Sequence, residues 1–196
     1  MKLDRAANYF AKTSLSGWDG TQWVDNIAKI TLLPSDRFIS VHEFDTKSQY
    51  ALTPVDSTGL DEYAVVKITA TDQVFMVGLQ IQDVHEDAYS KFYLFKTASK
   101  QGEIYQFTKT YAASGMAKGA TRELVKTVYT DLEHVTSVNS KTAMENRFAE
   151  ATLYFPRDTV LTSDLEIKID NAFWDVRDVR ENSGLVTCRA LRKHST

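Results

Sequence analysis

The chain holds a single cysteine, Cys188, so no intrachain disulfide can form and nothing calls for an oxidising compartment. No run approaches the roughly 18 apolar residues that a membrane-spanning helix needs. The start, Met1-Lys2-Leu3-Asp4-Arg5, has no apolar stretch behind it, so the expectation is an intracellular chain with neither signal peptide nor membrane anchor. Charge of one sign is also scarce in any one place. The 23 basic and 26 acidic residues give a net charge of -3 and are spread along the chain, which argues against tight, non-specific nucleic-acid binding. The one local excess is Arg189, Arg192, Lys193 and His194, which lack acidic sequence neighbours and read as a solvated tail.

Catalytic and metal signatures are equally thin. His42, His85, His134 and His194 form no HExxH pair, and one cysteine cannot make CxxC. Asp83, His85, Glu86 and Asp87 put carboxylates and an imidazole within five residues, but turns are where such residues collect, and a hairpin turn is expected there. Cys188 alternates with Val186 and Ala190 on an apolar face, which fits a buried, inert thiol better than a nucleophile. Ser114-Gly115-Met116-Ala117-Lys118-Gly119 lacks the GxxxxGK[ST] spacing of a phosphate loop and reads as a mobile hairpin tip. Trp18, Trp23 and Trp174 are expected in a core rather than on a stacking platform. The expectation is therefore no enzyme, no cofactor and no metal.

What the chain does have is a core's worth of apolar side chains, 43% of 196 residues, with 11% aromatic. One short helix is predicted over 3–13, where Leu3, Ala6, Ala7, Phe10 and Ala11 share a face, followed by a turn or loop at Gly17-Trp18-Asp19-Gly20. Beyond it, valine, isoleucine, threonine, tyrosine and phenylalanine dominate, and strands are predicted over 27–33, 37–44, 63–70, 73–82, 91–97 and 103–111. Lys100-Gln101-Gly102 reads as a turn and 45–61 as an exposed loop. Residues 122–139 suit helix or strand, with strand favoured. In that case 103–111 and 122–136 are the arms of a long hairpin tipped by 112–120, and a short helix at 141–148 leads onward.

The clearest stretch is 153–193. Leu165, Ile167 and Ile169 alternate with Glu166, Lys168 and Asp170, Asp170-Asn171 supplies a turn, Trp174 and Val176 share a face, and Asn182-Ser183-Gly184 turns into Val186, Cys188 and Ala190. The fold expected is mainly β: an antiparallel barrel or sandwich with a short N-terminal helix and a long protruding hairpin. It is expected as a single compact domain over 1–196, open to division into two related β modules, 25–98 and 149–193, joined by a hairpin segment, 99–148. An internal echo supports the second form. Residues 32–40 match 154–162 through Pro34/Pro156 and Asp36/Asp158, and 83–87 match 178–182.

The run Ala151-Thr152-Leu153-Tyr154-Phe155-Pro156-Arg157-Asp158-Thr159, with Asp164-Leu165-Glu166-Ile167 and Phe173-Trp174-Asp175-Val176-Arg177-Asp178-Val179, resembles head-closure proteins of tailed bacteriophages. The likeness covers about the last quarter of the chain, and Asp170-Asn171-Ala172 stands where those proteins often carry a glycine. It implies a virion protein, assembled in the host cytoplasm, that forms a homo-oligomeric ring in the neck. Its partners would be adjacent neck, portal-adaptor or tail proteins, with double-stranded DNA passing through unbound and no membrane involved. Expected assembly contacts are Ser114, Gly115, Met116, Lys118 and Gly119 at the hairpin tip and Arg189, Arg192 and Lys193 near the end. A tail-tube or tail-terminator subunit is the related alternative. A soluble β-barrel module binding a peptide or small ligand is the alternative of a different class.

Overall fold

The computed structural model describes residues 13–33, 48–54, 59–83, 90–138, 148–182 and 184–192. These form a mainly β protein, and the chain divides into two compact units. The first comprises Met1–Ala98 with Pro156–Asp158 and Asn182–Leu185, and the second the remainder from Ser99. The predicted helix over 3–13 lies outside the described residues save Thr13, as do the strand over 37–44, the helix over 141–148 save Phe148, and Lys193.

In the first unit β1 (Thr13–Trp18), β2 (Trp23–Leu33), β3 (Ser48–Pro54), β4 (Val65–Ile68), β5 (Val74–Asp83) and β6 (Ser90–Thr97) close into a barrel in the order β1-β2-β3-β6-β5-β4. A single helical turn, α1 (Gly59–Glu62), sits between β3 and β4. Closure comes from β1 against β4, with Leu15 opposite Ile68 and Gly17 opposite Val66. The pleat sends alternate residues inward, so Leu15, Ile30, Val66, Phe75, Val77 and Phe95 meet in one buried cluster. Phe75 and Phe95 stack at 5.5 Å within it.

Two expectations fail here. The stretch 45–61 is not all exposed loop, because β3 pairs on both sides and buries Ser48, Tyr50, Ala51 and Thr53. Its polar flanks hid a strand whose buried positions include serine and threonine. Gly17 and Trp18 belong to β1, and the turn is Asp19–Gln22, where Asp19 Oδ1 accepts from the Thr21 and Gln22 amides at 2.8 Å each. Gly17 fits its strand because any Cβ there would lie 2.4 Å from the Tyr63 ring.

In the second unit β7 (Lys100–Tyr111), β8 (Ala117–Val138), β9 (Phe148–Phe155), β10 (Leu165–Ile169), β11 (Ala172–Asn182) and β12 (Leu185–Arg192) close a second barrel in the order β7-β8-β9-β12-β11-β10. Adding six to each strand of the first barrel reproduces this order. Both units therefore share one topology. Residues 34–40 of the sequence echo lie outside the described residues.

The alternation predicted for the C-terminal meander appears as the second core. Leu165, Ile167, Ile169, Trp174, Val176, Val186, Cys188 and Ala190 are all buried in one cluster. Asp170 and Asn171 both take positive φ, 49° and 62°, the conformation of a two-residue type I′ hairpin turn. Lys100-Gln101-Gly102 is not a turn but the start of β7, opposite Thr130, Tyr129 and Val128. Residues 122–138 are strand, as β8 runs unbroken to Val138.

Candidate assembly surface

β7 and β8 pair from Lys100–Thr130 out to Tyr111–Ala117, but β10 supports β7 only between Glu103 and Gln106. Past that last rung, Thr108–Tyr111 and Lys118–Thr127 are exposed on both faces. The outer part of the hairpin is thus a two-stranded ribbon standing clear of its barrel. Its tip is a three-residue loop: Gly115 N donates to Ala112 O at 2.9 Å, Ala112 N donates to Met116 O at 2.8 Å, and Gly115 takes φ +78°. Lys118 and Val125 are extra residues in the β8 register, between Thr110/Tyr111 and Ile104/Tyr105 respectively. Such bulges increase twist and re-aim side chains. Tyr111, Met116, Leu124 and Val125 are 62%, 71%, 51% and 59% exposed, an apolar load carried on a strip with no core of its own.

The root of the ribbon is fixed by polar contacts. Phe107 N donates to Asp164 O at 3.3 Å and Gln106 Nε2 to Asp164 Oδ2 at 2.8 Å. Arg122 Nε donates to Glu166 Oε2 at 2.6 Å, and its guanidinium lies 4.4 Å from the Phe173 ring centre and 5.2 Å from that of Phe107. Beside it, Lys168 Nζ donates to Glu103 Oε2 at 2.9 Å and Tyr105 Oη to the same oxygen at 2.7 Å. The Tyr105 hydroxyl, then the Lys168 ammonium, hold the Glu103 carboxyl below its usual range, and Glu103 in turn raises Tyr105 and Lys168. The ribbon thus has a firm root and an exposed tip.

The sequence-predicted contact residues separate into two places. Ser114, Gly115, Met116, Lys118 and Gly119 all lie on the tip and outer ribbon, while Arg189 and Arg192 lie on β12. Arg189 is exposed but not unpaired. It binds Glu150 and also donates from Nη1 to Asp178 Oδ2 at 3.1 Å, pairings invisible in sequence because β9 and β11 bring the acids in from 39 and 11 residues away. Glu150, then Asp178, push the Arg189 guanidinium above its usual value.

Other sequence candidates resolve as follows. Trp18 and Trp23 stack at 5.3 Å across the β1–β2 hairpin and Lys67 lies 4.9 Å over Trp23, whereas Trp174 is buried. Cys188 is 1% exposed, and burial pushes its thiol up to about 12. Of the Asp83–Asp87 cluster only Asp83 lies among the described residues, where no group of three metal-ligating side chains is found. No helix among the described residues is long and apolar enough to cross a membrane. The first barrel carries an open cavity of about 700 Å³ lined by Thr13, Ser14, Leu32, Gln49, Thr69 and Gln73. Sequence reading gave no hint of it, since its walls come from four separate strands and the turn after β4.

Nothing in the sequence marks Arg157 either. Within the first unit its Nη2 donates to the carbonyl oxygens of Leu60, Asp61 and Tyr63 at 3.3, 2.6 and 3.2 Å, satisfying acceptors that the single turn of α1 leaves open. Neither a protein-family profile nor a curated protein matches this chain.

Proposed function

We propose that this chain is a virion structural protein of the neck of a tailed bacteriophage. It closes into a homo-oligomeric ring between head or portal and tail and leaves a channel through which double-stranded DNA passes. The observation that carries the proposal is the rooted β7–β8 ribbon, a projection that holds Tyr111, Met116, Leu124 and Val125, four of the seven exposed large hydrophobic residues among the described residues. The resemblance of 151–179 to head-closure proteins supports it. In this role the ribbon and Arg192 face neighbouring subunits or the adjacent ring, no catalysis is involved, and the chain resides in the virion after assembly in the host cytoplasm. The spread of 23 basic and 26 acidic residues suits a conduit that lets DNA slide.

A tail-tube or tail-terminator subunit uses the same ribbon differently, stacking ring on ring. A soluble β-barrel binding module is favoured by a separate observation, the 700 Å³ cavity of the first barrel. Negative-stain imaging of the purified full chain separates the three. The proposal expects single rings with a central hole; tubes of unlimited length or monomers count against it.

A further inference from the structure

The β8 strand is longer than its neighbours. β9 pairs with it only from Asp131 to Val138, so among the described residues no strand covers the outer edge of β8 between Ala117 and Thr130. The direction of its main-chain groups follows from one bond. Phe107 N donates to Asp164, away from β8, which makes Phe107 and Arg122 a pair whose backbone groups point outward from the ladder. The register is unbroken from Tyr105 to Thr110, so the same holds for Ala120, opposite Lys109, and Leu124, opposite Tyr105. Ala120, Arg122 and Leu124 therefore present a row of amides and carbonyls to the open side, the template onto which another strand adds.

A second open edge exists on the same barrel. β10 is short and pairs with β11 only over Ala172–Asp175, so among the described residues no β10 rung covers β11 from Val176 to Glu181. Charge distinguishes the two edges. Residues 108–126 carry Lys109, Lys118, Arg122 and Lys126 against Glu123, a net +3 in a chain of net -3, which leaves -6 on the remainder. With Arg122 neutralised by Glu166 the ribbon is still positive. Two ribbons repel each other, and a ribbon is attracted to the body of another copy. Past its β10 rungs, the stretch 176–181 of β11 carries Asp178 and Glu181 against Arg177 and Arg180, a balance of zero, so it does not repel the ribbon as a second ribbon does.

We infer that the open edge of β8 in one copy adds to the open edge of β11 in a second copy, a head-to-tail contact of the kind that closes rings. The inference rests on the ring proposal and supplies its contact. Proline tests it, since an edge-strand proline whose N–H would face outward leaves the internal ladder intact. Ala120→Pro is expected to keep the wild-type circular dichroism and to sediment as a monomer; an assembled Ala120→Pro chain overturns the β8 edge while leaving the ring proposal standing. A wild-type chain that is monomeric overturns both. Hydrogen exchange on the wild type needs no variant. Amides in 117–126 and in 177–181 are both expected to slow at least about tenfold on going from dilute monomer to assembly. Unchanged exchange in either segment, or a two-fold dimer protected only at 117–126, contradicts the pairing.

Discussion

Arg122 donates to Glu166 at 2.6 Å while its guanidinium covers Phe173, and this pair ties the free ribbon to the barrel wall. Glu166 sits on β10 between Leu165 and Ile167 and is 1% exposed, with the Arg122 guanidinium against its Oε2. Arg122→Ala removes a charge partner from a buried carboxylate and is expected to cost about 1–3 kcal/mol, less than a fully buried pair because the arginine is partly solvated. Arg122→Lys keeps the charge but loses the planar stacking and falls between. Urea unfolding followed by circular dichroism reads both; an unchanged midpoint for Arg122→Ala contradicts this account of the root.

Asp170 and Asn171 meet the φ > 0 requirement that glycine usually meets. Asn171→Gly is expected to be neutral or to raise stability by a few tenths of a kcal/mol, whereas Asn171→Val costs about 1–2 kcal/mol through left-handed strain in a β-branched residue. Thermal unfolding of the two variants should bracket the wild type. A Val variant as stable as the wild type would show that the turn is not type I′.

Cys188 has its thiol pushed up to about 12 by burial. A raised folded-state value means the neutral thiol is favoured in the fold, so its contribution is fully present below the unfolded value near 8.5 and is lost as pH rises toward 12. Labelling by a thiol reagent at pH 8 is expected to be slow and to track unfolding. Fast labelling of folded chain would mean the β12 face opens.

Arg157 serves three carbonyls, and Arg157→Ala is expected to destabilise the first unit by about 1–2 kcal/mol. Arg157→Lys recovers only part, because one ammonium cannot reproduce the guanidinium's spread of donors. Hydrogen exchange around α1 and Tyr63 should report the loss; if it is unaltered, the three bonds carry no stability.

Much of the fold was readable where burial is one-sided. Leu165, Ile167 and Ile169, then Trp174 and Val176, then Val186, Cys188 and Ala190 alternate in sequence because one face of each strand meets the core. Segments with mixed signals were not readable. Ser48–Pro54 buries serine and threonine, and Thr13–Trp18 holds a glycine that only tertiary contact with Tyr63 explains. The ribbon tip was legible from its small residues, but its root was not, since Arg122, Glu166 and Phe173 are brought together by strand register across 44 and more residues.

The most direct test of the ring is native mass spectrometry of the full chain over a concentration series. A closed ring gives one species of fixed copy number that gains population, and not size, as concentration rises. A monomer at every concentration, or a ladder that lengthens without limit, would contradict it.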